Sequence, residues 1–329
     1  MRHSPDLLLL LAVIALVAFG ILMVASASSV LGLDFRADPH AYAKQQFFRG
    51  VLPGLAALIV TMNIPYRFIR KIVVPILALV LILLILVFFP GFSGVSGGAA
   101  RWVIVGPISI QPAEIAKLAL ILYLAALFAG REVHKGRIRE TFLPFFVVVG
   151  LIAILLAAQP DVGTLVVVTG AAILTYAAAG APVSHLFSIA LIAAAAIFTL
   201  IRAAPYRVAR FITFLRPEAD PRGIGYQVQQ ALLAIGTGGL WGLGLGRSRQ
   251  KFRYLPEPTG DAIFAIAAEE LGLLRTLGLL LLYLFVIVRG YQIARATPDM
   301  FGRLVAAGIT SWLLVQTIIH VGANMALLP

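Results

Sequence analysis

The chain has no cysteine, which excludes disulfides and thiolate metal sites. Its five histidines, at 3, 40, 134, 185 and 320, are scattered and form no H-E-x-x-H pair, so a histidine-bound metal is not expected. Charge is scarce as well. Acidic residues number 14 and basic residues 26, together 12% of 329 positions, while 61% are hydrophobic and the mean hydropathy is +0.99. A soluble domain of that length carries a far more polar surface. The net charge of +12 would suggest nucleic acid in a soluble protein. In a chain this apolar, the bias of Lys and Arg toward one membrane face and their attraction to anionic lipid account for it, and no nucleic-acid partner is expected.

What is present is a series of apolar runs, each long enough to cross a hydrocarbon core of about 30 Å. Only helices or closed barrels satisfy their backbone there. The run VVPILALVLILLILVFF at 73–89 is continuous rather than alternating, which argues for helices. The expected fold is all-α: one integral membrane domain over 1–329, with nine spans near 6–27, 47–63, 71–90, 112–129, 142–158, 162–180, 183–202, 261–288 and 304–328. The first run follows Met1-Arg2-His3 and ends in ASAS at 25–28, which imitates a signal peptide. It is long for one and more spans follow, so it is read as a retained helix.

With the N-terminus in the cytoplasm, the inner loops hold Arg2, Arg67, Arg70, Lys71, Arg131, Lys135, Arg137, Arg139, Arg289, Arg295 and Arg303. The short outer loops hold only Arg36, Lys44, Arg49 and Arg101. That asymmetry supports the orientation. The segment 203–260 then becomes a long extracytoplasmic loop, yet it carries Arg207, Arg210, Arg216, Arg222, Arg247, Arg249, Lys251 and Arg253. Long loops escape the rule, so these cations need a functional reason. Inside it, GTGGLWGLGLG places six glycines in eleven residues, 236–246. Each costs about 1 kcal/mol relative to alanine in a helix, so 230–246 is expected to be irregular, at the interface or buried in protein.

The stretch KFRYLPEPTGDAIFAIAAEELG (251–272) brings Glu257, Asp261, Glu269 and Glu270 into an apolar region. Asp261 follows Pro258-Thr259-Gly260, a helix-start signal, and is either a cap or a reactive carboxylate. Glu269 and Glu270 lie roughly 12 to 13 Å further along a helix. Intramembrane acids face the bundle interior, so these two are expected to hold helices together, with Arg275 as their cation. In RWVIVGPISIQPAEIAK (101–117), Pro112 suits a first helical turn. Glu114 and Lys117 share a face at i, i+3, either as a plain ion pair or with Lys117 able to switch to Asp261 or to a phosphate. QPDVGT at 159–164 repeats the Gln-Pro-acid pattern. Arg101, Gln111, Glu114, Lys117, Asp161, the basic loop with Arg210 and Lys251, Glu257 and Asp261 thus converge at the outer leaflet. Cations beside a carboxylate there suit an amphiphile with an anionic head group.

Together GGAARWVIVGPISIQPAEIAK, QPDVGT, GYQVQQALLAIGTGGLWGLGLGRSRQKFRYLPEPTGD and IFAIAAEELG resemble the SEDS family, the polytopic glycosyltransferases of bacterial cell shape, elongation, division and sporulation. The resemblance runs from the first helix to Pro329. RHSPDLLLLL, LYLAALFAGR and YRVARFITFLRPEADPRGIGYQ are more similar to the division-type FtsW branch than to the elongation-type RodA branch. The resemblance implies polymerisation of lipid II into β-1,4 glycan strands at the outer face of the bacterial plasma membrane, at the division septum, with undecaprenyl pyrophosphate as leaving group. It implies a class B penicillin-binding transpeptidase and other divisome membrane proteins as partners. It places the family's essential acid on Asp261 and its Glu and Lys pair on Glu114 and Lys117. Arg101, Gln111, Arg210, Lys251 and Glu257 complete the expected substrate-binding set.

Three features depart from the family. Thr259-Gly260-Asp261-Ala262 stands where His-Thr-Asp-Phe is usual, Arg275 replaces a small residue, and the chain stops at Pro329 where relatives continue to a tenth span. The expectation is therefore a truncated chain. No cofactor is required by the sequence; a divalent cation could assist, but no ligand cluster demands one. Two other functions fit part of the pattern. A lipid II flippase would need a polar path to the inner leaflet, whereas the polar groups here stay on one side. A non-catalytic division scaffold would tolerate loss of Asp261.

Overall fold

The computed structural model describes residues 5–96, 99–106, 108–202, 205–216, 223–256 and 258–328. The helices are α1 (Leu7–Ala27), α2 (Ser29–Arg36), α3 (Ala41–Gln46), α4 (Leu52–Asn63), α5 (Tyr66–Leu86), α6 (Pro112–Phe128), α7 (Leu143–Ala158), α8 (Val162–Ala178), α9 (Val183–Arg202), α10 (Pro205–Leu215), α11 (Ile224–Gly238), α12 (Ile263–Ala296) and α13 (Met300–Asn324). All nine expected spans fall on helices. Among the described residues, six helical stretches are long and apolar enough to cross a membrane: 7–27, 66–86, 138–158, 183–202, 263–296 and 300–324. The stretch 47–63 is helical but opens with a π-helical turn at Phe47–Val51.

Local chemistry sets several boundaries. Asp6 caps α1 by accepting the Leu9 N–H at 3.0 Å. Pro112 occupies the first turn of α6, where its missing N–H costs nothing. Asp161 caps α8 through the Thr164 N–H at 3.2 Å. Three expectations are corrected. The third span begins at Tyr66 rather than 71, so Arg67, Arg70 and Lys71 lie in the opening turns of α5 and not in a loop. The loop 203–260 contains α10 and α11, and the glycine-rich stretch is helical as far as Gly238. The residues between α5 and α6 form a small antiparallel sheet in the order β1 (Ser93–Ser96), β2 (Ala99–Val105), β3 (Ile108–Ile110).

The chain divides into two compact units. The first comprises residues 1–63, 201–289 and 317–329; the second comprises 64–200 and 290–316. The core of the second unit is packed around Phe128, Phe145 and Tyr176, whose rings stack at 4.8 Å from Tyr176 to either phenylalanine. The Tyr176 hydroxyl meets Thr141 Oγ1 and His185 Nδ1, as a buried phenol must find partners. Gly308 lets α13 approach α6: a Cβ there would stand 2.5 Å from Ile121 Cγ2. Small residues at such crossings are how membrane helices pack closely. The first unit has a smaller core of Met23, Ala27, Ala231, Ala234, Leu255, Ala265, Ile266 and neighbours.

Candidate active site

In the first unit, α12 is broken at Gly272, which adopts φ 77° and ψ 175°. The glycine-rich turn after α11 fits against this break. A Cβ on Gly242 would stand 2.3 Å from the Glu270 carbonyl, and one on Gly272 2.2 Å from the Gly242 nitrogen. The carbonyls and N–H groups freed by the break are satisfied there: Leu243 and Gly244 donate to the Glu269 and Glu270 carbonyls at 3.0 and 2.9 Å, and Leu273 donates to Gly239 at 2.8 Å. Irregular backbone at membrane depth is tolerated only when protein satisfies it in this way.

Glu269 and Glu270 are completely buried. Glu269 accepts the Ser248 hydroxyl at 2.5 Å and the Arg249 and Gln250 N–H groups at 3.0 and 3.4 Å. Glu270 accepts the Ser26 hydroxyl at 2.7 Å and the Ser248 N–H at 3.2 Å, and lies 3.6 Å from the Lys251 ammonium. Lys251, 3% exposed, also donates to the Gly246 carbonyl at 2.6 Å and the Ser26 carbonyl at 3.5 Å. The two carboxylates therefore clamp the loop 246–251 onto α12 and α1. Paired, hydrogen-bonded charges of this kind survive burial; isolated ones do not. The expected partner of the glutamates was Arg275. Instead Arg275 is exposed and donates to the Trp241 carbonyl at 3.2 Å, because the break at Gly272 removes it from the register that a continuous helix would give. Lys251, expected among the substrate-binding cations, faces the interior.

Asp261 stands just before α12 and is exposed, with Ala262 buried beside it. Its backbone carbonyl accepts Asn324 Nδ2 at 2.6 Å, and Asn324 Nδ2 also donates to the His320 carbonyl. Among the described residues no group caps or pairs with its carboxylate, so the capping role weighed from sequence is not taken up. Arg247 and Arg249 are exposed on the clamped loop, whereas Arg253 is bound to Asp34 at 2.8 Å. Glu257 lies outside the described residues, and of Arg210 only the backbone, on α10, is described.

In the second unit, Lys117 is 3% exposed on α6. Its ammonium lies 2.8 Å from Glu114, 3.1 Å from Gln316 Oε1 and 5.1 Å from the Trp312 ring centroid. Trp312 Nε1 donates to the same Gln316 oxygen at 2.5 Å, which fixes that amide's orientation. Glu114 is exposed, and Gln111 precedes α6 with its side chain making no cap bond. On β2, Arg101 donates to the Pro160 carbonyl at 2.7 Å. Arg101 Nε and Asp161 Oδ2 are buried and make no other hydrogen bond among the described residues, so both retain capacity for a ligand. No group of three metal-binding side chains occurs among the described residues.

A family model described as "Cell cycle protein", covering FtsW, RodA and SpoVE, matches residues 6–329. This chain belongs to the FtsW/RodA/SpoVE family. Stage V sporulation protein E of Bacillus subtilis is 40% identical over 330 residues, which cover all of this chain and 89% of that protein. "Probable peptidoglycan glycosyltransferase FtsW" of Geobacter metallireducens is 37% identical, covering 98% of this chain and 86% of that one. Among solved structures, a chain of a peptidoglycan synthase complex that coordinates polymerisation and crosslinking superposes with a TM-score of 0.79 at 27% identity, covering 99% and 89%. The RodA crystal structure from Thermus thermophilus superposes at 0.68 with 27% identity, covering 97% and 85%. The SEDS resemblance and the multi-pass helical architecture thus hold.

Sequence reasoning missed five side chains in this family member: Ser26, Ser248, Asn324, Gln316 and Trp312. Ser26 lies within the ASAS stretch that imitates a cleavage site, and Gln316 and Asn324 are polar residues in an apolar run that carries no named motif. That last feature, polarity inside a span, was the available signal.

Proposed function

We propose that this protein is a peptidoglycan glycosyltransferase that polymerises lipid II, with Asp261 as general base. One observation carries the assignment. Of the acids in 251–272 whose side chains are described, Glu269 and Glu270 are buried and engaged by internal donors, while the Asp261 carboxylate is exposed and unpaired. A base must reach the proton that it removes, and of these described acids only Asp261 meets that condition.

In this reading Asp261 takes the proton of the acceptor's sugar 4-hydroxyl. That oxygen attacks the donor's anomeric carbon, the bond to undecaprenyl pyrophosphate breaks, and the leaving group departs with the electron pair. Attack in one step inverts an α-linked donor to a β-1,4 bond. The leaving diphosphate needs positive charge more than a proton. Arg247 and Arg249 on the clamped loop supply it in the first unit; for Arg210 the role rests on the sequence alone. In the second unit, Lys117, Arg101, Glu114 and Gln111 bind substrate, supported by the free Arg101 Nε and by a Lys117 ammonium held on three sides. Lys251 acts through Glu270, by holding the loop.

The relatives' names support the substrate class, and the synthase-complex match supports a crosslinking partner, a class B penicillin-binding transpeptidase. The division-type stretches support action at the septum, with the N-terminus cytoplasmic and other divisome membrane proteins as neighbours. The test is polymerisation of purified lipid II by the protein with its transpeptidase. Asp261→Asn should lower glycan synthesis by about 10²-fold or more while the thermal midpoint and lipid II binding stay near wild type. Full activity in that variant removes Asp261 from the mechanism.

A further inference from the structure

Because α5 begins at Tyr66, Arg67, Arg70 and Lys71 stand at i, i+3 and i+4 in its opening turns, and so on one face. No acid occupies that first turn. Three like charges at this spacing repel one another, and they sit at the positive end of the helix dipole, where acids are favoured. Among the described residues, none of the three forms an ion pair with an acid. Their arrangement is locally unfavourable, and among the described residues no ion pair offsets it.

The same side chains line a cavity of about 560 Å³, together with Tyr66, Asp299 and Phe301. Tyr66 stacks on Phe301 at 6.4 Å, and the Arg70 guanidinium lies 5.9 Å from the Phe301 centroid. Among the described residues Asp299 is the one acid in this wall, and its carboxylate accepts the Gly302 N–H at 2.8 Å at the start of α13. The wall therefore keeps an excess of two positive charges. Its volume lies within the range of small-ligand clefts.

We propose that this cavity binds the phosphate head group of an anionic phospholipid, gripped by Arg67, Arg70 and Lys71. The chemistry recognised is a phosphate diester: arginine forks meet its oxygens in pairs, and lysine adds a point charge. The source is the membrane rather than solution for two reasons. The cavity is at the polar end of an apolar 21-residue helix whose most apolar 18-residue window has a mean hydropathy of 2.8, the end at which a spanning helix meets lipid head groups. The stacked Tyr66–Phe301 wall offers an apolar face that a glycerol and upper acyl chain can cover and a free phosphate cannot.

The bland alternative is diffuse attraction of any basic loop to anionic lipid, and the experiment separates the two. The full chain is purified, and retained phosphatidylglycerol and phosphatidylcholine are counted by native mass spectrometry as detergent strips the lipid. One variant carries Arg67→Gln, Arg70→Gln and Lys71→Gln. A control removes the same three charges at Lys135, Arg137 and Arg139. Retention of phosphatidylglycerol should fall about tenfold in the first and stay at wild type in the second. Arg67→Lys with Arg70→Lys, which keeps the charge and loses the forks, should fall between. If the triple variant fails to fold, Arg70→Gln alone carries the measurement. Equal loss in site and control variants overturns the discrete site. Retention that inorganic phosphate displaces as readily as phosphatidylglycerol does, with no preference over phosphatidylcholine, overturns the lipid assignment.

Discussion

The hydroxyl of Ser26 lies 2.7 Å from both carboxylate oxygens of Glu270, a contact between residues 244 positions apart in sequence. It ties α1 to the broken helix α12, and Lys251 closes the arrangement from the loop side.

Removing one charge from this buried set should be costly. Glu270→Gln leaves the Lys251 ammonium without its counter-ion and should destabilise the protein by about 3–5 kcal/mol, read as a fall in thermal midpoint. Adding Lys251→Met should recover part of the loss, with a coupling of about 1–3 kcal/mol. Simple additivity of the two substitutions means that the pair does not act as a unit.

The approach of the glycine-rich turn to the break in α12 makes a sharper contrast. Gly242 has φ 80°, and an added Cβ would meet backbone atoms of Glu270 and Leu271 at 2.3 Å. Backbone cannot move aside as a flexible side chain would. Gly242→Ala should therefore cost more than the roughly 1–3 kcal/mol typical of overpacking and lower the yield of folded protein. Gly278→Ala, within α12 and with open space around it, should be neutral or gain up to about 1 kcal/mol. Equal behaviour of the two would contradict the described contact.

Lys117 should fail in a way that its charge alone does not predict. Lys117→Met should abolish most polymerisation, and Lys117→Arg should not restore it, since a planar guanidinium does not fit the compact seat made by Gln316, Trp312 and Glu114. Glu114→Gln, at an exposed position, should be the mildest of the three. Glycan synthesis and thermal midpoint are measured together, so that loss of function is separated from loss of fold. A fully active Lys117→Arg refutes the steric argument.

At the start of α1, the Leu9 N–H and the Arg289 guanidinium hold the Asp6 carboxyl below its ordinary range. A lowered carboxyl gives stability that is present above the ordinary carboxylate range and is lost as pH falls through the lowered value. Wild type should therefore melt above Asp6→Asn at neutral pH, and the gap should close on acidification. A gap independent of pH assigns the effect to something other than ionisation.

The membrane class, the helices and the Glu114–Lys117 pair were legible because they rest on local quantities: run length, hydropathy and i, i+3 spacing. Helix starts were less legible. The charges of Arg67, Arg70 and Lys71 argued for a loop, whereas Pro65 and the continuous backbone hydrogen bonding carry them into α5. The sheet over 93–110 was missed because its short strands are stabilised by pairing with each other and show no long periodic pattern.

The sequence by itself determined that this chain is a multi-pass helical membrane protein and which acids could matter, since hydropathy and the scarcity of charge are properties of composition and order along the chain. The tertiary structure alone decided how those acids divide. Glu270 finds Ser26 and Lys251, Arg275 is turned away at Gly272, and Asp261 is left exposed. The physical reason is that the partner of a buried charge is chosen by distance in space, and a single glycine with positive φ changes which side chains a helix can bring within that distance.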